Sequence, residues 1–279
     1  MEDVNEFVID GEKIMPLDSG NVDLLFHPQT EYFYTRKNIK KNDLPQQTNR
    51  MNLRFPSVIQ LYYIDDEEGN TLNFYQEFFP YGDLTNFVQH NCAREEDIIR
   101  FFYQCSRGLQ YLHNNGYIHR DIKPLNIFID VEKNAALGDL EYSTNNASAT
   151  SRIKDQEYSA PEVKDNKPNT KKSDIYSIGY TFQDYIHTRV IEEDLKNDLL
   201  SVIAQTMVEN PDKRISTDEL VSQLEEILKK YEMNYIIDEF ESRIEPIKNS
   251  YTFCKLDDIK DIKDNSFIQD VIDDAMQFL

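Results

Sequence analysis

The sequence predicts an α+β fold of two lobes, a small β-rich one followed by a larger helical one. Three observations carry that expectation. Short β-rich runs separated by turn residues fill the chain as far as Gly82. Helical stripes of apolar residues take over after it. The 279 residues are 39% hydrophobic, enough for a real core and against wholesale disorder.

The elements follow in order. Residues 6–14 predict a strand region with a turn signal at Asp10-Gly11, and residues 22–26 and 31–37 are short β-rich runs joined by a His27-Pro28-Gln29 turn. Residues 40–54 are polar, contain Pro45 and have poor apolar periodicity, so they predict at most a weak helix. Residues 57–64 and 71–79 predict two further strands around an acidic turn. In residues 95–114, Ile98, Phe101, Phe102, Cys105, Leu109 and Leu112 form a helical stripe that Asn115-Gly116 ends. Residues 173–185, 195–208 and 217–231 predict three more helices, the last capped by Ser216 or Thr217. The chain therefore divides into an N-lobe with its connection at 1–84, a helical C-lobe at 85–230, and an acidic C-terminal tail at 231–279 with apolar spots such as Ile272 and Phe278.

The net charge of -21 argues against a nucleic-acid surface, which needs clustered Lys and Arg, and against docking on an anionic membrane. It favours a solvated surface and basic partners. Cys92, Cys105 and Cys254 are too widely spaced for a zinc site, and their odd number argues against a disulfide framework. The start, Met1-Glu2-Asp3-Val4, lacks a signal-peptide pattern, and no apolar run approaches the roughly 20 residues that span a bilayer. An intracellular, cytoplasmic protein is expected.

One segment carries most of the chemistry: Tyr117-Ile118-His119-Arg120-Asp121-Ile122-Lys123-Pro124-Leu125-Asn126-Ile127. It resembles the catalytic loop H-R-D-x-K-x-x-N of the eukaryotic-type protein kinases at every defined position. The resemblance implies a two-lobed protein kinase fold, with ATP and Mg2+ as cofactors and a protein as substrate. It implies that Asp121 takes the hydrogen bond of the substrate hydroxyl, that Lys123 neutralises charge at the transferred phosphate, and that Asn126 reaches a magnesium ion. Lys123 at that place goes with serine/threonine substrates.

The surroundings extend the resemblance over roughly residues 8–228. Leu137-Gly138-Asp139-Leu140-Glu141 resembles the D-F-G magnesium motif, with Asp139 as metal ligand and Leu140 and Glu141 as departures. Tyr158-Ser159-Ala160-Pro161-Glu162 resembles the A-P-E end of the activation segment, with Arg214 as the expected ion-pair partner of Glu162. Asp174 resembles the aspartate that braces the catalytic loop. Thr150 and Ser151 are candidate phosphosites by position alone. The segment between Gly179 and Pro211 has room for only one helix after the first, so a substrate-holding helix usual in the family is missing or short.

The nucleotide side departs further. Residues 17–25 stand where the Gly-rich loop should be; the resemblance places Leu17, Gly20 and Leu25 in the nucleotide site, with Asp18 and Asp23 in place of the outer glycines, facing the phosphates. Lys37 resembles the phosphate-holding lysine of V-A-I-K, and strand alternation puts Thr35 on the same face, over the adenine. Residues 44–64 contain no Asp or Glu, so the helix glutamate that pairs with this lysine is replaced by Gln46 or Gln47. Gln76-Glu77-Phe78-Phe79-Pro80-Tyr81-Gly82-Asp83 resembles the hinge: the Glu77 carbonyl and Phe79 amide would meet adenine, and Asp83 the ribose. An active serine/threonine kinase is the expectation. The alternative is a pseudokinase that binds or scaffolds with little turnover, favoured by the missing glutamate, Asp18, Asp23 and Glu141. A lipid or small-molecule kinase is disfavoured by residues 158–162.

Overall fold

A computed structural model describes residues 10–17, 21–41, 53–66, 69–90, 93–144, 157–189, 191–262 and 265–279. The N-lobe is an antiparallel sheet of β1 (Glu12–Pro16), β2 (Val22–His27), β3 (Tyr32–Lys40), β4 (Leu61–Asp65) and β5 (Thr71–Glu77), in the order β1-β2-β3-β5-β4. Of the strand region expected at 6–14, residues 6–9 lie outside the described residues; Asp10-Gly11 precedes β1, and Gly11 packs so close to the Tyr34 hydroxyl that a Cβ there would lie 1.7 Å from it. β4 starts late, because Phe55 and Val58 bridge across a turn.

Strand alternation gives the sheet two working faces. The register sets Leu24 opposite Thr35 and Phe26 opposite Phe33, so these four and Lys37 share the face toward the C-lobe. Leu25 and Tyr34 point the other way and pack with Tyr62 and Tyr75.

The connection at 78–83 leads into α1 (Leu84–His90) and the long α2 (Glu95–Asn114). Every residue of the apolar stripe expected for α2 is buried. Gly108 lets α2 touch the 55–58 turn, since a Cβ would meet the Ser57 carbonyl at 2.4 Å. A hairpin of β6 (Ile127–Ile129) and β7 (Ala135–Leu137) follows, then α3 (Pro161–Lys164), α4 (Lys171–Thr188), α5 (Glu193–Thr206) and α6 (Thr217–Lys230). Ser216 caps α6: its hydroxyl accepts from the Glu219 amide at 3.2 Å, and the Glu219 carboxylate accepts from the Ser216 amide at 2.7 Å. Among the described residues α5 is the one helix between α4 and Pro211, as the sequence predicts.

The acidic C-terminal segment at 231–279 is folded onto both lobes, its buried apolar residues inward. It forms α7 (Tyr235–Asn249), β8 (Cys254–Lys255), α8 (Leu256–Ile259) and α9 (Ser266–Ala275). α7 lies on the C-lobe, where Phe240 meets Phe55 at 5.6 Å and Tyr103 at 5.7 Å. The chain then climbs behind the hinge, where the Thr252 amide donates to Gln60 Oε1 at 2.9 Å and the Tyr62 hydroxyl donates to the Thr252 carbonyl. β8 pairs with the start of β3, Phe33 opposite Cys254. α9 lays Ile268, Val271 and Ala275 into one buried cluster with Leu24, Phe26, Phe33 and Phe78. The physical reason is the spacing of those apolar residues, which puts them on one helical stripe; Asp270 and Asp273 of α9 are exposed.

Candidate active site

A cleft of about 550 Å³ opens between the lobes, within the size range of small-molecule sites. Leu17, Val22, Ile59, Phe79 and Phe128 give it apolar walls, and Thr35, Lys37, Asp83, Asn126 and Asp139 give it polar groups.

The catalytic loop is shaped from beneath. Asp174, near the start of α4 and 2% exposed, accepts from the backbone amides of His119 at 2.7 Å and Arg120 at 2.8 Å, and contacts His113 Nε2 at 2.9 Å. Arg120 sits at φ 77°, a left-handed backbone that costs a non-glycine residue about 1–3 kcal/mol and needs such a hold. On the loop above, Asn126 Nδ2 donates to the Asp121 carbonyl at 2.7 Å and to its carboxylate at 2.9 Å, while Lys123 Nζ lies 3.3 Å from Asp121 Oδ2. The three residues expected to do the chemistry therefore form one group. Gly138 carries Asp139 to the same place, its amide bonding the Asn126 carbonyl at 2.9 Å and its missing Cβ leaving room for the Phe128 ring.

Lys37 reaches across from β3 and pairs with Asp139 and with Glu141 Oε1, the latter at 3.0 Å. Burial pushes the Lys37 ammonium toward neutrality, but the Glu141 and Asp139 carboxylates outweigh it and hold its pKa above the usual lysine value. Burial raises Glu141; Asp139 stays well below the usual carboxylate range against burial, through Glu141 and Lys37 beside it. Gln46 and Gln47 lie outside the described residues. The carboxylate that meets Lys37 comes instead from Glu141, a residue the sequence marked only as a departure.

The donor set fits magnesium and a nucleotide. Asn126 has given its Nδ2 to Asp121, so its other polar atom, Oδ1, is an acceptor suited to a cation. The buried Glu141 stands beside Asp139 and meets the Lys37 ammonium through Oε1, so it shares in holding that lysine at the metal position. Among the described residues no group of three or more His, Cys, Asp and Glu side chains could hold a metal ion unaided. Asn126 and Asp139 at the cleft would give magnesium two protein oxygens, the rest of its shell being phosphate and water.

Of the expected nucleotide residues, Leu17, Thr35, Lys37, Glu77, Phe79 and Asp83 line the cleft. Thr35 donates to the Gln76 carbonyl at 3.3 Å, and Asp83 Oδ1 accepts from the Asn86 amide at 3.0 Å, capping α1. The Glu77 carboxylate accepts from the Gln60 amide at 3.2 Å, and burial pushes its pKa up to about 8. Gly20 and Asp18 lie outside the described residues, as do Thr150 and Ser151. Leu25 is a correction. It is buried on the far face of the sheet, and Val22 stands in the cleft in its place. Asp23 is also corrected: alternation turns it away from the cleft, where it pairs with Lys13 at 2.6 Å and Arg36 at 2.8 Å. Sequence reasoning also missed Ile59, Phe128 and Phe267 in the lining. The apolar spacing of 268, 271, 272 and 275 was the available signal for the helix that brings Phe267.

Away from the cleft, Glu162 and Arg214 form the expected pair, two parallel bonds of 2.6 and 2.7 Å, both residues buried.

With this fold and site, the family model described as protein kinase domain matches residues 18–230, and the chain belongs to that family. It is 33% identical over 128 residues to the probable CTD kinase subunit alpha homolog of Encephalitozoon cuniculi, covering 44% of this chain and 39% of that protein. It is 26% identical over 237 residues to the Aurora kinase of Schizosaccharomyces pombe, covering 72% and 66%. It is 30% identical over 167 residues to the serine/threonine-protein kinase STE11 of Saccharomyces cerevisiae, covering 57% and 23%. The chain thus spans less than two thirds of the length of each of these relatives.

Proposed function

We propose that the chain is a serine/threonine protein kinase, using ATP and magnesium to phosphorylate a protein substrate. The observation that supports this most is the joining of Lys37, Asp139, Asn126, Asp121 and Lys123 into one connected site at the cleft. Magnesium, when bound, supplies charge neutralisation and orientation for the phosphates. Asp121 accepts the hydroxyl proton as the substrate oxygen forms its bond to the terminal phosphorus, while the bond to the ADP oxygen breaks and that oxygen keeps the electron pair. Lys123 offsets the negative charge of the transferring group. Lys37 holds the inner phosphates, and Asn126 positions both Asp121 and a metal ion. The chain's -21 charge supports a basic protein as substrate. An intracellular location belongs to the same proposal, supported by the buried free thiols Cys105 and Cys254. Among the described residues no helix is long and apolar enough to cross a membrane.

The test is phosphate transfer from ATP to a basic protein, with and without magnesium. Asp121→Asn and Asp139→Asn should each abolish transfer, with the chain still folded. Wild-type rates in either variant would sink the assignment. A second reading, a nucleotide-binding scaffold with little turnover, is favoured by Glu141, an extra buried carboxylate beside the metal position. A melting temperature that rises with ATP and magnesium, with no transfer to any hydroxyl, would select it.

A further inference from the structure

One wall of the cleft comes from outside residues 18–230, where the family model matches. Phe267, the second residue of α9, lines the cleft from the C-terminal segment. Its neighbours in the helix, Ile268, Val271 and Ala275, are each 0% exposed against the sheet. Phe267 itself is only partly buried, packed against the same cluster as Leu17 and the hinge residue Phe78. The ring therefore stands at the hinge end of the cleft, apart from the Lys37–Asp139 end.

The helix that presents it is fixed. Asn265 caps it by accepting from the Ile268 amide at 3.4 Å, and Gln269 Nε2 holds the Ile262 carbonyl at 2.9 Å. β8 ties the preceding stretch to β3. A half-covered aromatic ring on a held helix, lining the cleft together with Leu17 and Phe79, is surface suited to a flat heteroaromatic ring, which gains both apolar burial and ring–ring contact there.

We propose that Phe267 forms part of the base-binding surface of the nucleotide site, which makes the C-terminal segment a working component of that site. The inference rests on the ATP reading above. It follows that a base seated against Phe267 strengthens the docking of α9, and that losing the ring weakens every ligand carrying the base.

The chain has no tryptophan, so Phe267→Trp puts a single indole at the site. This variant of the whole 279-residue chain is titrated with adenosine and with ATP plus magnesium, and its emission should change to saturation with both. Phe267→Ala should lower the affinity for both ligands by the same factor, about twofold to tenfold, on the scale of one aromatic contact. Its melting temperature without ligand should fall little, because the ring is only partly buried against the cluster. Should alanine loosen the helix, Phe267→Leu keeps the apolar bulk without the aromatic face and should still weaken both ligands. Wild-type binding with unchanged affinity in both variants overturns the role of Phe267 and leaves the ATP reading standing. Tighter binding by Phe267→Ala makes the ring an obstruction and also overturns it. A loss confined to ATP moves the ring to the phosphates, with the same consequence. A wild-type chain that binds neither ligand overturns the ATP reading itself, and this inference with it.

Discussion

Lys37 can hold phosphates only while its ammonium is charged and aimed, and in a cleft shielded from water both depend on a carboxylate nearby. The resemblance looks for that carboxylate on a helix where the sequence has Gln46. The folded chain supplies Glu141, on the turn just after Asp139, 3.0 Å from the ammonium. Glu141→Gln keeps the shape and removes the charge. Lys37 then has Asp139 alone, the group a metal ion also claims, so turnover should fall about tenfold, equivalent to roughly 1.4 kcal/mol of lost transition-state stabilisation. The melting temperature should hold or rise, because the desolvated carboxylate is gone while Lys37 keeps Asp139 as a partner. Steady-state rates against circular-dichroism melts make the comparison; a variant with full turnover would show that Lys37 is held by something else. The contrast with Asp121, Lys123, Asn126 and Asp139 is instructive. Those residues come together because each lies in a short motif of fixed residue type and spacing, the loop at 117–127 or the motif at 137–141. The use of Glu141 is not legible in that spacing, because it depends on a contact with a strand far away in the chain.

At the scale of elements, strands and helices were read well where one face is apolar and poorly where a count replaced a face. The β1–β2 hairpin shows it. Spacing borrowed from a full Gly-rich loop put Leu25 in the nucleotide site. The Leu17 amide bonds the Val22 carbonyl at 2.8 Å, closing the hairpin early, so Val22 already belongs to β2. One step of register flips every side chain, sending Leu25 to the far face and Asp23 to Lys13 and Arg36. The end of the activation segment behaved differently, because its pair is local chemistry at both ends. Arg214 is wedged between Glu162 and the carbonyls of Val208 at 2.7 Å, Lys172 at 2.9 Å and Glu209 at 3.1 Å. Arg214→Ala strands a buried carboxylate and three carbonyls together, and should cost about 3–5 kcal/mol of stability. Urea unfolding measures it, and an unchanged midpoint would mean that the pair contributes nothing to holding α3 against the lobe.

At the scale of the molecule, the C-terminal segment decides what counts as one cooperative unit. Its acidic composition hid it, because net charge describes a surface and says nothing of the stripe beneath it. The stripe is long enough to cover the apolar underside of the N-lobe sheet at the hinge end, and α7 grips the C-lobe, with Arg243 on Asp130 at 2.9 Å. A segment fastened to both lobes ought to melt with them. Leu256 is the place to ask, since it is 0% exposed inside the cluster that α9 makes with Leu24, Phe26 and Phe33. Leu256→Ala removes buried methyl groups and leaves a cavity, which should cost about 2–5 kcal/mol. Leu199, also 0% exposed but deep in the C-lobe, is the matched control. If the segment belongs to the core, the two leucine-to-alanine variants lose comparable stability, and each still unfolds in one transition when followed by tyrosine fluorescence and by circular dichroism together. A Leu256→Ala chain that keeps its full stability, or that releases the segment in a separate early step, would reduce the segment to a loosely attached appendage and leave the kinase lobes to stand without it.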